Sequence, residues 1–168
     1  MTKNKTPNSI WVLSAALACI GAGQSTIFIL VPQEIRLLGF NEFQVGIIFS
    51  ISALAWVFFS PFWGRLSDQI GRSKVFLLGI IGFALSLVLF AAIIKYAQAY
   101  AMSFYLLFIL LIGARLINGL LGSAVRPSAG GRIADITDLT NRTSGFARLA
   151  AGWQFGVVLG PVAVGFIM

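Results

Sequence analysis

Five long apolar stretches alternate with short polar ones along this chain of 168 residues. They cover roughly residues 10–31, 43–63, 75–94, 102–125 and 146–168. Each has about the 20 residues that a helix needs to cross a bilayer. A polar tail, residues 1–9, precedes the first. Pro32 is expected to end that first span, because proline cannot continue a helical hydrogen-bond ladder. The connectors are polar: 33–41 with Glu34 and Arg36, 64–74 with the four charged side chains Arg65, Asp68, Arg72 and Lys74, a short one with Lys95, Tyr96 and Tyr100, and 130–143 with Arg132, Asp135, Asp138 and Arg142. The pattern predicts an all-α membrane protein of five transmembrane helices.

Composition sharpens the class. Hydrophobic residues make up 58% of the chain and charged ones 10%, against about 25% charged in soluble domains. The mean hydropathy is +0.93. The first apolar run is too long for the core of a signal peptide, and no clean cleavage site follows it, so a retained span is expected over a processed signal. The net charge of +7 would suit nucleic acid, but the basic residues flank the spans and do not gather on one soluble face, which speaks against that partner. Their sidedness gives an orientation instead. The tail and the second and fourth connectors hold Lys3, Lys5, Arg65, Arg72, Lys74, Arg126, Arg132, Arg142 and Arg148, against Arg36 and Lys95 on the other side. Nine against two predicts a cytoplasmic N-terminus.

Several chemistries find no residues to carry them. Cys19 is the one cysteine and there is no histidine, so no disulfide framework, metal set or nucleophile with an adjacent base is expected. No phosphate-binding G-x-x-x-x-G-K-[ST] loop appears. The expectation is neither an enzyme nor an ATP-driven pump, with no cofactor. Asn141-Arg142-Thr143 fits a glycosylation sequon but falls on the cytoplasmic side of this topology. Trp11, Trp56, Trp63 and Trp153 read as interfacial anchors or packing groups.

Three features remain to be read for function. The first is Gly64-Arg65-Leu66-Ser67-Asp68-Gln69-Ile70-Gly71-Arg72-Ser73-Lys74, expected as a tight charged loop in which glycines allow the turn and Asp68 lies within reach of Arg65 and Arg72. The second is Arg115, near the middle of the fourth span. Burying a charge there costs about 2.5–3.5 kcal/mol on insertion scales, so Arg115 should face a cavity or a partner, and no span offers an Asp or Glu. The third is the series Gly152, Gly156, Gly160, with Pro161 and Gly165 after it. Small residues four apart form a groove for a close helix neighbour. Gln24, Ser25 and Thr26 add a small polar patch to the first span, readable as pathway lining or as packing and hydrogen bonding. The echo of Gly64–Asp68 in Gly131-Arg132-Ile133-Ala134-Asp135 is local, since a three-helix repeat would not match these two connectors.

These residues resemble the major facilitator superfamily. Gly64, Leu66, Asp68, Gly71 and Arg72 match its signature between helices 2 and 3, where Gln69 and Ser73 depart from the usual basic residues. Leu111, Arg115 and Gly119 match the helix 4 signature, with Asn118 in place of a glutamine and Leu121 in place of the second glycine. Gly156, Gly160, Pro161 and Gly165 match the helix 5 signature of drug:proton antiporters, with Val164 in place of one glycine.

The resemblance implies the N-terminal half of a twelve-helix fold, apparently truncated after helix 5. Such a protein, multi-pass in the plasma (inner) membrane, would export small molecules or drugs by alternating access, with protons as the coupling ion. Asp68 and its basic neighbours would latch the two halves, Arg115 with Asn118 and Gly119 would serve proton coupling or an anionic group, and the glycine face of helix 5 would mark antiport. The missing C-terminal helices would be its partners, beside the lipid bilayer and a small-molecule substrate. Two alternatives stand: a non-transporting membrane piece that associates with other helices through Gly152, Gly156 and Gly160, and a sugar or nutrient symporter or facilitator.

Overall fold

The computed structural model describes residues 7–100 and 102–167, and every element among them is helical. In chain order they are α1 (Pro7–Leu37), α2 (Glu42–Ile70), α3 (Arg72–Ala99), α4 (Phe104–Leu121), a 3-10 turn (Gly122–Ala124), α5 (Val125–Ile136) and α6 (Leu139–Ile167). Lys3, Lys5, most of the polar tail and Met168 lie outside the described residues. By length and composition four stretches can cross a membrane: Ser9–Leu37, Glu42–Ile70, Arg72–Ala99 and the continuous run Phe104–Ile136.

The helices reach further into the polar connectors than hydropathy indicates. Pro32 does not end the first helix, which continues to Leu37. A proline removes one ladder bond, and one lost bond does not stop a helix that neighbouring groups support. The expected loop 64–74 is almost entirely helical, with Gly71 alone outside α2 and α3. The expected polar connector 130–143 is likewise helical except at Thr137 and Asp138. Polar side chains at a membrane surface do not oppose helix formation; they only cease to be apolar.

What stops each helix is local chemistry. Asn41 opens α2 with a reciprocal cap: its side chain accepts from Gln44 N at 2.9 Å, and its own N–H donates to Gln44 Oε1 at 3.0 Å. Gly39, at φ 90°, makes the preceding turn. Gly71, at φ 103° and ψ 132°, makes the α2–α3 corner in a conformation that only glycine adopts easily. The end of α5 is held by Arg142, whose Nη2 donates to Ala134 O at 3.2 Å.

The chain forms two compact units. One comprises the described residues of 1–31 and 129–168, the other residues 32–128. In the second unit α2, α3 and α4 pack together, with Trp63, Val75 and Ala124 buried at the corner and Leu66 and Leu121 against them. Glycines set the approach: a Cβ on Gly79 would meet Val125 Cγ2 at 2.7 Å, and one on Gly119 would meet Ser52 O at 2.6 Å. Ser86 Oγ ties α3 to α4 by donating to Ala114 O at 2.6 Å. In the first unit α1 packs along α6, where Ser14 Oγ donates to Arg148 O at 3.2 Å.

Candidate functional site

The α2–α3 corner is built as a clamp. Asp68, three residues before Gly71, pairs with Arg72, the first residue of α3. Arg72 also donates from Nη1 to Ser67 Oγ at 2.9 Å, and that hydroxyl donates to Gly64 O at 2.7 Å. Arg72 therefore bridges the break in the backbone through two side chains of α2. Asp68 is more than half exposed, and an exposed ion pair adds at most about 1 kcal/mol. Its value lies in geometry: it fixes the direction in which the chain leaves α2 and keeps a carboxylate at the surface. Of the two expected basic neighbours, Arg72 makes the pair with Asp68, while Arg65 is exposed. Gly64 is an ordinary helical position, its nearest neighbour being Pro127 Cβ at 3.7 Å from an added Cβ. Leu66 packs on the buried corner. Ser67 is 1% exposed and holds the clamp from inside, a role that its place in the motif as a small residue did not reveal.

Arg115 is buried at 2% exposure. Its guanidinium carbon lies 4.9 Å from the centre of the Phe49 ring, a cation–π distance. Nε and Nη1 have no hydrogen-bond partner among the described residues. As the apolar sequence of the spans indicates, no carboxylate among the described residues pairs with it. Asn118, one turn on, and Gly119 are also buried. Gly119 lets α4 approach α2 at Ser52 and Ala55, which places Arg115 against Phe49.

Beyond Arg115 the ladder changes to a 3-10 turn, and its cause is visible. The Leu120 carbonyl accepts from Trp63 Nε1 at 2.6 Å and from Ser123 Oγ at 2.9 Å. A mid-helix 3-10 stretch of this kind marks a place where the helix is under competing demands. Trp63, which precedes Gly64, thus joins the corner of α2 to the helix of Arg115. An indole just before the motif was the signal for it.

The glycine series of α6 is already filled. A Cβ on Gly152 would meet Ser14 O at 2.5 Å; on Gly156 it would overlap Ala18 O; on Gly160 it would overlap Ser25 Oγ and meet Ala22 O at 2.5 Å. The occupant is α1 of the same chain, so this face is not open to an outside helix. Pro161 lies inside α6, and a Cβ on Gly165 would have nothing within 4 Å. Ser25 and Thr26 pack on Gly160, and Ser25 Oγ donates to Ala22 O at 3.0 Å. Packing therefore accounts for these two, and Gln24 is half-buried beside them.

The profile of the Major Facilitator Superfamily matches residues 13–168. The chain is 26% identical to Multidrug resistance protein 2 of Bacillus subtilis (strain 168) over 167 residues, covering 99% of this chain and 38% of that protein. It is 28% identical to Quinolone resistance protein NorA of Staphylococcus aureus (strain N315) over 158 residues, covering 94% of this chain and 38% of that protein. The chain thus spans 38% of the length of these relatives. A helical, multi-pass integral membrane architecture, a clamped α2–α3 corner and a buried arginine in α4 accompany a match along nearly the whole sequence: the chain belongs to the major facilitator superfamily.

Proposed function

We propose that this chain is the five-span N-terminal portion of a secondary transporter that exports small molecules from the cytoplasm by alternating access, with protons as the coupling ion. The observation that carries the reading is Arg115, a guanidinium in the interior of a long apolar helix with two of its nitrogens, Nε and Nη1, unpartnered among the described residues. A charge in that position is costly, and intramembrane charges that persist despite the cost mark functional sites. The names of the relatives, a multidrug and a quinolone resistance protein, favour drug-like cargo. In this reading α6 is the fifth span, the N-terminus is cytoplasmic and the protein resides in the plasma membrane. Asp68 and Arg72 present a latch to helices beyond this chain, and alternation arises from rocking against those helices. The packing of Gly152, Gly156 and Gly160 on α1 keeps the helices close enough to exclude leak of protons.

The test is efflux of fluorescent aromatic dyes from cells that express the sequence from its native locus, with Asp68→Asn and Arg115→Ala introduced there. Wild type should lower dye retention, with dissipation of the proton gradient abolishing the effect. Both variants should remain in the membrane and lose efflux at least tenfold. Wild-type rates in both would overturn the assignment of these residues.

A further inference from the structure

Near the start of α1, Trp11 is 63% exposed, and Arg148 is exposed on α6. The guanidinium carbon of Arg148 lies 5.9 Å from the centre of the Trp11 ring, within cation–π range. The backbones beneath the pair are held close: Ser14 Oγ donates to the Arg148 carbonyl at 3.2 Å, and a Cβ on Gly152 would meet Ser14 O at 2.5 Å. Helix packing therefore sets the pair. Among the described residues neither the guanidinium nor the indole N–H has a hydrogen bond or an ion pair. Both groups are donors only. Carboxylates do not serve them. α6 carries none, and the one acid of α1 is Glu34, near its other end. Asp138 precedes Arg148 by ten residues, about 15 Å along α6. Asp135, on α5, makes its own contacts and does not pair with Arg148.

A second feature starts at the same place. Phe155 and Leu159 follow Arg148 by two and three turns on one face of α6, and they are 63% and 43% exposed. Leu159 lies about 16 Å from Arg148 along the axis, and half of a hydrocarbon core of about 30 Å is about 15 Å. Unpartnered donors at one end of an apolar stripe one leaflet deep match the two parts of a phospholipid. We propose that Trp11, Arg148, Phe155 and Leu159 form a binding site for one anionic phospholipid, with its phosphate on the guanidinium and an acyl chain along the stripe. Stacking on the indole leaves the edge of the guanidinium free, so two parallel N–H groups meet two phosphate oxygens. A cation that only sets topology acts by its charge, and lysine serves as well; the planar fork is what separates a site from a topology signal. A soluble phosphate would use the donors and leave Phe155 and Leu159 idle. The inference does not involve transport, but it rests on the reading of α6 as the fifth span.

The purified chain of 168 residues, in non-ionic detergent, is titrated with phosphatidylglycerol and with phosphatidylcholine of the same acyl chains, and bound lipid is counted by native mass spectrometry. The expected result is one phosphatidylglycerol bound with a Kd about tenfold or more below that of phosphatidylcholine. Arg148→Gln should remove that preference, and Arg148→Lys should fall between, since it keeps the charge and loses the fork. Arg132→Gln, at an exposed cation of α5, should leave binding unchanged, and equimolar glycerol phosphate should not compete. Equal Kd values for the two lipids, wild-type binding by Arg148→Gln or Arg148→Lys, equal losses in Arg148→Gln and Arg132→Gln, or competition by glycerol phosphate would each overturn the proposal. Because Arg148 is exposed, its replacement leaves the fold intact, and circular dichroism verifies this. With p-benzoylphenylalanine in place of Phe155, irradiation of cell membranes should give a lipid adduct; an adduct to a protein would mean that another helix covers the stripe, and would also overturn it. Phe155→Cys, combined with Cys19→Ser, should resist a membrane-impermeant maleimide in sealed vesicles. Labelling would sink the fifth-span reading and the site with it; protection together with equal Kd values would sink the lipid site alone.

Discussion

Gly119→Ala adds one methyl group at the closest approach of α4 to α2. The new Cβ would lie 2.6 Å from Ser52 O and 2.7 Å from Ala55 Cβ. Ordinary contact begins near 3.4 Å, so each approach is short by about 0.7 Å. Neither neighbour can rotate away, because one is backbone and the other a Cβ. The helices must separate, and that loosens the packing of Arg115 on Phe49 one turn above. Overpacking of this kind costs about 1–3 kcal/mol. Gly113→Ala on the same helix is the control: its Cβ has nothing within 4 Å, and it gains about 0.8–1 kcal/mol of helix propensity. Gly119→Ala gains the same propensity, so the two variants should differ by the overpacking alone, about 1–3 kcal/mol, or roughly 2–12 °C in Tm for a chain of this size. Thermal unfolding in detergent, followed by circular dichroism, measures the gap. Equal Tm values, or a more stable Gly119→Ala, would refute the claim that Gly119 is there for lack of space.

Two further predictions concern the corner and the buried charge. Gly71→Ala places a side chain at φ 103° and should cost about 1–3 kcal/mol, read as faster tryptic cleavage at Arg72, whereas Gly64→Ala should be cleaved at the wild-type rate; equal rates for the two would contradict the assignment of the turn to Gly71. Arg115→Met removes a buried charge that lacks a carboxylate and should leave stability unchanged or raise it by about 1–4 kcal/mol, measured as Tm; a loss above about 2 kcal/mol would mean that Arg115 has a stabilising partner.

Much of this protein was legible in the order of its residues. Runs of apolar side chains long enough for a bilayer can bury their backbone polar groups only as helices, so the helical membrane class follows from the chain alone. The helix count does not: hydropathy predicts five, and six α-helices form among the described residues, with four stretches long and apolar enough to span. The corner motif, the costly Arg115 and the glycine series stand out because each breaks the local pattern. Other features are not written locally. Helix ends inside polar segments depend on caps and on one positive φ at Gly71, which hydropathy does not register. The partner of the glycine face is decided by packing: Ser14, Ala18 and Ala22 of α1 fill it, and their spacing alone names no neighbour. Ser67 and Trp63 gained their roles only when the fold brought Arg72 and the Leu120 carbonyl within hydrogen-bond distance of them. The pairing of Arg148 with Trp11 joins residues 137 positions apart, and only the close approach of α1 and α6 at Gly152 brings them together. Sequence determines which groups cannot be left in lipid unsatisfied; tertiary structure decides which neighbour satisfies them, because contact distances depend on how helices pack.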